Sequence, residues 1–337
     1  MVLIRADANR EIGAGHLMRC LSVAKALEAF GETVRFVTAD HAPDALIRQN
    51  GFRSICMECS WDDLASERET LQCIIEQYKP RLLIIDSYQV TAAYFQALSG
   101  VVKTAYLDDL NCACWDVDYL INYNIFASSY DYTQYRDTRT KLLRMPYYAP
   151  LREEFRDLPK HETKRQVTDL LVSAGGSDPA QVTEKMICEI CPLWETIQFH
   201  FVAGALNPRI MQIKEKAKER TNVVLHINER NMSALMQKCD LAVSAAGFTL
   251  YELCACGTPA VVYSLAENQR IAAREFEACG LMVDVGDCRA NENFWLALRQ
   301  ALESLIKDAE QRARLSERMQ RVVDGMGAVR IAQELTS

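Results

Sequence analysis

A glycine-flanked histidine near the start of the chain has the residue types that acid–base chemistry needs. Residues 12–19 read IGAGHLMR. Gly13 and Gly15 allow a tight turn and a close approach of the backbone to a ligand, and they place His16 at the start of a predicted helix. There the positive end of the helix dipole disfavours the imidazolium, and a neutral imidazole can accept a proton from water. His16 is therefore a candidate general base, although a helix cap and plain turn glycines remain alternatives.

A second motif follows the carboxyl end of a predicted strand and contains small and hydroxyl residues, which are typical of phosphate-binding loops. Residues 244–252 read SAAGFTLYE, after a predicted strand at Leu241–Ala245. Backbone amides near Gly247 and Thr249, at a helix start, can hold a phosphate. Glu252, one turn further, can accept hydrogen bonds from ribose hydroxyls. The alternative is a helix start capped by Ser or Thr.

Two further polar clusters follow predicted strands. Residues 266–270 read AENQR, and their side chains, Asn268 and Gln269 among them, can hydrogen-bond sugar hydroxyls and amides. Residues 175–178 read GGSD. Each cluster also has a capping interpretation, through Asn268 in the first and Ser177 or Asp178 in the second.

Other residues raise the possibility of a metal, but their spacing argues against it. Asp116 and Asp118 form a DxD pattern, which can hold a divalent ion, but they lack partners. The cysteine pairs lack neighbouring histidines and matching second pairs at zinc spacing; they are Cys56/Cys59, Cys188/Cys191, Cys112/Cys114 and Cys254/Cys256. We expect no metal and no cofactor, and buried reduced thiols instead. A dinucleotide site is disfavoured because the third glycine of GxGxxG is replaced by Met18.

Bulk composition excludes several partners. The net charge is −7 and aromatic residues make up 8% of the 337 residues, which argues against nucleic acid. No apolar run reaches the ~20 residues of a membrane helix, and the charged start does not resemble a signal peptide. We expect a cytoplasmic protein that does not bind membranes, and a monomer is favoured.

The pattern of elements predicts an α/β protein with two Rossmann-like domains whose parallel sheets face a central cleft. Strand and helix patterns alternate along both halves of the chain. Asp7, at the end of a predicted strand over Val2–Ala8, faces the glycine turn of His16 and is a candidate to support that site. The predicted organisation is an N-terminal domain at residues 1–151, a charged linker at 152–166, and a C-terminal domain with terminal helices at 167–337.

Taken together, these motifs resemble the PseG family, which are UDP-2,4-diacetamido-2,4,6-trideoxy-β-L-altropyranose hydrolases of pseudaminic acid synthesis. The resemblance rests on RADA at 5–8 followed by the segment from Ile12, and on YAPLREEF at 148–155. The second half is similar to the nucleotide-binding domain of MurG-type glycosyltransferases. One departure is Asn9, where the family usually has Ser.

The resemblance implies a GT-B fold and metal-independent attack of water on the anomeric carbon of a UDP-sugar. It implies that His16 is catalytic and that Glu252 binds the uridine ribose. It also implies substrate contacts at Asn268 and Arg152. A glycosyltransferase, a non-catalytic nucleotide-sugar binding protein and a nicotinamide dehydrogenase remain alternative functions.

Overall fold

The chain divides into two compact units. The structure is a computed structural model, and it describes residues 1–9, 11–175, 178–204 and 207–337, apart from the side chain of Asn268. The first unit contains Met1–Glu153 and Met326–Ser337, and the second contains Glu154–Gly325. Within these described ranges no helix is long and apolar enough to cross a membrane.

The first unit is built on a parallel sheet with helices around it. Its strands are β1 (Val2–Ala6), β2 (Val34–Thr38), β3 (Arg53–Cys56), β4 (Leu82–Asp86), β5 (Lys103–Leu107), β6 (Tyr119–Asn122) and β7 (Lys141–Arg144), and its helices are α1 (Gly15–Ala29), α2 (Asp44–Gln49), α3 (Arg68–Tyr78) and α4 (Ala92–Leu98). The seven strands pair in the order β3-β2-β1-β4-β5-β6-β7. β1 and β4 consist entirely of buried residues, as is usual when helices cover both faces of a parallel sheet.

The register of the first sheet determines which side chains meet at its carboxyl edge. Ala6 pairs with Asp86, so that β1 and β4 end side by side. On its other side β1 pairs with β2. From β1 the chain therefore adds β2 and β3 on one side of the sheet, and from β4 onward it adds strands on the opposite side. Ligands of open α/β sheets bind at such a point, outside the carboxyl ends of the strands.

The second unit has the same construction. Its strands are β8 (Asp169–Ser173), β9 (Gln198–Ala203), β10 (Val223–Ile227), β11 (Leu241–Ala245), β12 (Ala260–Ser264) and β13 (Val283–Asp287), and its helices are α5 (Val182–Lys185), α6 (Ile210–Lys218), α7 (Met232–Lys238), α8 (Thr249–Cys256), α9 (Glu267–Ala278), α10 (Phe294–Lys307) and α11 (Ala309–Val322). The parallel order is β10-β9-β8-β11-β12-β13. The strand order again changes direction, here between β8 and β11.

The last helix belongs to the first unit, which differs from the predicted domain boundaries. Helix α12 (Gly327–Thr336) packs on α1 and on the 3₁₀ turn Pro146–Tyr148 of the first unit. Its apolar side chains Ile331 and Leu335 are buried there. The prediction that residues 167–337 form one domain is therefore wrong for residues 326–337, because the apolar face of α12 is covered by the first unit.

The predicted linker is also not a free connection. The units divide between Glu153 and Glu154, and Phe155 is fully buried within the second unit. Further along, Arg312 donates a hydrogen bond of 2.6 Å to the carbonyl oxygen of Lys164. Most of residues 152–166 therefore belong to the second unit, because a buried ring and backbone hydrogen bonds attach them to it.

Candidate active site

His16 lies where a tight turn enters helix α1. Gly13 has a φ of +72° and forms an isolated bridge with Asn9, a backbone conformation that glycine adopts without strain. Helix α1 begins at Gly15 without a side-chain cap. His16 is therefore in the first turn, with 13% of its side chain exposed. The prediction of a histidine at a helix start is confirmed, and the ring is not used as a cap.

Asp86, the last residue of β4, is hydrogen-bonded to the imidazole of His16. The Nδ1 atom of His16 lies 2.6 Å from Oδ1 of this carboxylate. Arg19, one turn after His16 on α1, donates to both oxygens, with distances of 2.6 Å from Nε and 2.5 Å from Nη2. Burial alone would raise the pKa of Asp86, but the charges and hydrogen bonds of Arg19 and His16 outweigh it and hold that pKa well below its usual range.

The guanidinium of Arg19 connects this carboxylate to a second one. Its Nη1 atom donates to Asp109 at 2.7 Å and to the hydroxyl oxygen of Tyr123 at 2.6 Å. Asp109 also accepts from the hydroxyl of Tyr88 at 2.7 Å and from the side-chain amide of Asn124 at 2.9 Å. The result is a continuous polar network across the carboxyl ends of β4, β5 and β6.

Tyr88 also covers the imidazole. Its ring meets that of His16 edge to face, with 4.6 Å between the centroids and 81° between the planes. Burial and the neighbouring Asp109 raise the pKa of Tyr88 above its ordinary value, so the hydroxyl stays protonated and donates. Contacts on two sides, from Asp86 and from Tyr88, thus fix the orientation of the His16 ring.

A small recess beside this network contains the predicted supporting residue Asp7. Its walls are formed by Asp7, Ile12, His16, Trp61, Asp86, Ser87, Tyr88 and Gln89. Asp7 accepts a hydrogen bond of 2.8 Å from the amide of Ala39 and an ion pair from the buried Arg5. It therefore lies at the edge where the sequence placed it, but its bonded partners are Arg5 and Ala39 and not His16.

Arg5, the partner of Asp7, belongs to a second buried charge cluster. Arg5 donates through Nε and Nη2 to both oxygens of Glu67, at distances from 2.6 to 3.0 Å, and the hydroxyl of Tyr94 donates to the same carboxylate at 2.7 Å. Arg5 and Glu67 are both fully buried. The cluster is joined to the recess through Asp7, which pairs with Arg5.

The second unit presents an uncapped helix start after β11. Helix α8 begins at Thr249 with no side-chain cap, and the preceding Gly247 is exposed with open space where a Cβ would lie. Ser244 is buried and its hydroxyl donates to the carbonyl oxygen of Ala245 at 3.0 Å. The interpretation of this motif as a helix start capped by Ser or Thr is therefore wrong. Glu252 lies half-buried in the first turn of α8.

Three further residues were predicted to contact the substrate: Asn268, Gln269 and Arg152. Helix α9 begins at Glu267 after Ala266, so Asn268 is not its cap, and the Asn268 side chain lies outside the described part of the chain. The Oε1 atom of Gln269 accepts from the amide of Leu265 at 2.8 Å. Arg152 is half-buried in the first unit, just before a 3₁₀ turn at 153–155.

The GGSD turn shows its capping role through its last residue. Asp178 accepts from the amides of Val182 and Thr183, each at 2.9 Å, at the start of α5. Gly176 and Ser177 lie outside the described residues. For Asp178 the capping interpretation is confirmed.

The acidic pair singled out as a possible metal site is neutralised by an arginine. Arg139 lies 3.1 Å from Asp116 and 3.2 Å from Asp118, and Asp118 also accepts from the amide of Thr104 at 2.8 Å. Within the part of the chain that the structure describes, no three His, Cys, Asp or Glu side chains are grouped so as to hold a metal. All thirteen cysteines are free thiols.

Sequence reasoning missed Asp86, Asp109, Arg19 and Tyr88 as members of the first site. The available signal was positional. Asp86 directly follows the four apolar residues of 82–85, just as Asp7 follows β1. The carboxyl ends of adjacent parallel strands meet at one edge of a sheet. Arg19 was visible inside the motif of His16, one helical turn away on the same face.

Comparison with known proteins identifies the class of fold. Residues 204–322 match the family of glycosyl transferases group 1. The structure is similar to MurG of Acinetobacter baumannii, with a TM-score of 0.70, 12% identity and 99% of each chain covered. It is also similar to a UDP-GlcNAc 2-epimerase of Neisseria meningitidis, with a TM-score of 0.69, 13% identity and 100% of each chain covered. The chain therefore has the two Rossmann-like units of the GT-B fold.

Relatives with similar sequences are 22–26% identical to this chain. The protein MJ1062 of Methanocaldococcus jannaschii is 26% identical over 80% of this chain, which spans 56% of that protein. The spore coat polysaccharide biosynthesis protein SpsG of Bacillus subtilis is 22% identical, covering 84% of this chain and 83% of its own. The UDP-2,4-diacetamido-2,4,6-trideoxy-β-L-altropyranose hydrolase of Campylobacter jejuni is 26% identical, covering 74% and 86%. These similarities support an enzyme acting on nucleotide sugars.

Proposed function

We propose that this chain hydrolyses a UDP-activated diacetamido-trideoxy sugar at its anomeric carbon, without a metal, in pseudaminic acid synthesis. Water forms the new bond to the anomeric carbon while the bond to the diphosphate oxygen breaks. The leaving oxygen keeps the bonding electrons, and His16 takes the proton from water. The products are UDP and the free sugar with inverted anomeric configuration.

The observation that carries the proposal is the pairing of His16 with Asp86 at the carboxyl edge of the first sheet, where the strand order changes direction between β1 and β4. A histidine whose second ring nitrogen is hydrogen-bonded to a buried carboxylate is the arrangement by which an enzyme orients a base. The similarity to the Campylobacter jejuni hydrolase over 257 residues supplies the substrate class. We assign Gly13, Gly15 and Asp7 to the wall around the attacking water and the sugar.

The nucleotide is assigned to the second unit. The amide of Gly247 donates to the carbonyl oxygen of Ala245 at 2.9 Å, so we assign the diphosphate to the uncapped helix start at Thr249, beside the exposed Gly247. Stabilisation of the leaving group by such a helix dipole lowers the barrier. Glu252 is assigned to the ribose hydroxyls, and three further side chains, Arg152, Asn268 and Gln269, to other substrate contacts.

The test is turnover of a panel of UDP-sugars followed by NMR, with UDP binding measured by calorimetry. His16→Asn should lose about 10²- to 10⁴-fold in kcat, the usual contribution of a general base, and should still bind UDP. His41→Asn is the matched control, because His41 is an exposed histidine of the same unit that bonds Asp44 at 2.7 Å. Normal turnover by His16→Asn would show that the assignment is wrong.

A glycosyltransferase is the second candidate, favoured by the match of residues 204–322 to glycosyl transferases group 1. It would use the same nucleotide site but pass the sugar to an acceptor hydroxyl. The NMR time course separates the two: free reducing sugar identifies the hydrolase, and a glycoside identifies the transferase. Binding of UDP-sugar without turnover over hours would instead indicate a binding protein.

A further inference from the structure

We propose that Asp86 is the positioning residue of His16. It holds the proton of the neutral imidazole on Nδ1 and leaves Nε2 as the atom that accepts a proton. The part concerning the attacking water depends on the proposed function, whereas the assignment of the tautomer does not.

The hydrogen-bond donors around Asp86 determine this tautomer. Asp86 is fully buried and its oxygens accept three bonds from His16 and Arg19. An ionised carboxylate can only accept, and Arg19 keeps Asp86 ionised. At 2.6 Å from Oδ1, Nδ1 must therefore carry the hydrogen.

Arg19 cannot reverse this assignment. Its Nη2 atom lies 3.1 Å from the same Nδ1 but only 2.5 Å from Oδ1 of Asp86. A guanidinium has donors and no acceptor, so its hydrogen goes to the carboxylate and not to a ring nitrogen that already carries one.

The other ring nitrogen is available for chemistry. Among the described residues, Nε2 of His16 makes no hydrogen bond, and the ring forms part of the recess wall. The edge-to-face contact with Tyr88 opposes a ring flip that would exchange the two nitrogens. The geometry thus presents one basic nitrogen in one orientation.

The same charge cluster fixes the arginine that lies next to His16. Two carboxylates, Asp86 and Asp109, share the single guanidinium of Arg19. The donors of Arg19 are therefore directed to carboxylate oxygens on both sides. Asp7, across the recess, is paired with Arg5 and is separate from this cluster.

The decisive measurement is the tautomer of His16 in the full chain, read from ¹⁵N-histidine NMR spectra. The chain has 5 histidines, and loss of one signal set in His16→Asn assigns the resonances. We expect the Nδ1–H form in the wild type. In Asp86→Ala the acceptor for the Nδ1 hydrogen is removed, and Nη2 of Arg19, 3.1 Å from Nδ1, can donate to that nitrogen instead, so the Nε2–H form should replace the Nδ1–H form. An Nε2–H form in the wild type would overturn the proposal.

Kinetics test the positioning role with a matched control. Asp86→Ala should lower kcat by about 10²-fold or more with little change in KM, because Nε2 then carries the hydrogen and cannot accept a proton, while ground-state binding remains. Asp109→Ala removes the other carboxylate of Arg19 and leaves the His16–Asp86 bond, so the Nδ1–H tautomer should persist and the loss in kcat should be smaller. Equal losses without a change of tautomer would contradict the proposal.

These two readouts keep the inference separate from the proposed function. If no UDP-sugar is hydrolysed but His16 is Nδ1–H, the proposed function fails and the tautomer assignment stands. If Asp86→Ala does not fold, the wild-type and Asp109→Ala spectra still decide the tautomer.

Discussion

The backbone of Gly327, the first residue of α12, lies directly against the carbonyl group of Ala149. A Cβ added to Gly327 would overlap the carbonyl oxygen and carbon of Ala149, both of which are rigid backbone atoms. Only glycine permits this approach, and the contact fixes the last helix to the first unit.

Gly327→Ala should therefore destabilise the first unit. Helix propensity alone would favour alanine by up to about 1 kcal/mol, so the steric effect must reverse the expected sign. We expect a loss of about 1–3 kcal/mol, as for other overpacked sites, measured by urea unfolding together with hydrogen exchange in α12.

Gly15→Ala is the matched control, because Gly15 is also the first residue of its helix and has open space at the Cβ position. It should leave stability unchanged or slightly increased. A Gly327→Ala variant as stable as Gly15→Ala would refute the close contact.

This contact also shows where prediction from sequence ends. Strand β11 was predicted from a short apolar run and has the predicted bounds, Leu241–Ala245. The return of α12 to the first unit could not be predicted, because an apolar helix face shows that it is covered but not by which element. Strand β3 and helix α2 were missed because β3 is only partly buried and α2 is short.

The candidate site was also predictable only in part, because local patterns are visible in the sequence and tertiary pairings are not. His16 was found because glycines next to it mark a turn at a helix start. Its bond to Asp86 joins residues 70 positions apart, and no local pattern encodes which strand end will lie beside which helix. The pairing of β1 with β4 decides it, and strand order is a tertiary property.

The buried ion pair of Arg5 and Glu67 should respond differently to single and double substitution. Arg5→Met leaves Glu67 and Asp7 buried without their cationic partner, and we expect a loss of about 3–5 kcal/mol in the free energy of unfolding. Adding Glu67→Leu removes one of these uncompensated charges. The double variant should therefore be more stable than Arg5→Met alone, as measured by urea unfolding. A double variant that loses the sum of both single effects would show that the two side chains do not act as a pair.

Gly247→Ala tests the diphosphate site of the second unit. The Cβ position is open in the chain itself, so folding should be unaffected. A methyl group at the helix start would hinder the approach of a phosphate to the amides, and we expect UDP affinity to fall about 10-fold, equivalent to about 1.4 kcal/mol, by calorimetry. Urea unfolding of Gly247→Ala provides the control, because its free energy of unfolding should equal that of the wild type. Unchanged affinity in Gly247→Ala would place the diphosphate elsewhere.

His161 should make the second unit less stable in mild acid. Its Nε2 atom lies 3.0 Å from the carbonyl oxygen of Cys239 and donates to it, whereas Nδ1 is buried and has no partner among the described residues. Burial lowers the pKa of His161 despite the opposing effects of the Cys239 carbonyl and Asp240. An unfolded histidine has a pKa of about 6.5, so below that pH the unfolded chain binds a proton that the folded chain resists.

Stability should therefore be fully present above about pH 6.5 and should decline as the pH falls through the range down to the folded pKa. His200, whose pKa burial also lowers, contributes with the same sign. Urea unfolding at pH 7.5 and 5.5, followed by hydrogen exchange in β11, should show a smaller pH difference in His161→Gln than in the wild type. His41→Gln, at an exposed histidine of the other unit, should leave the pH difference in β11 unchanged. An equal pH difference in wild type and His161→Gln would mean that another group causes the acid sensitivity.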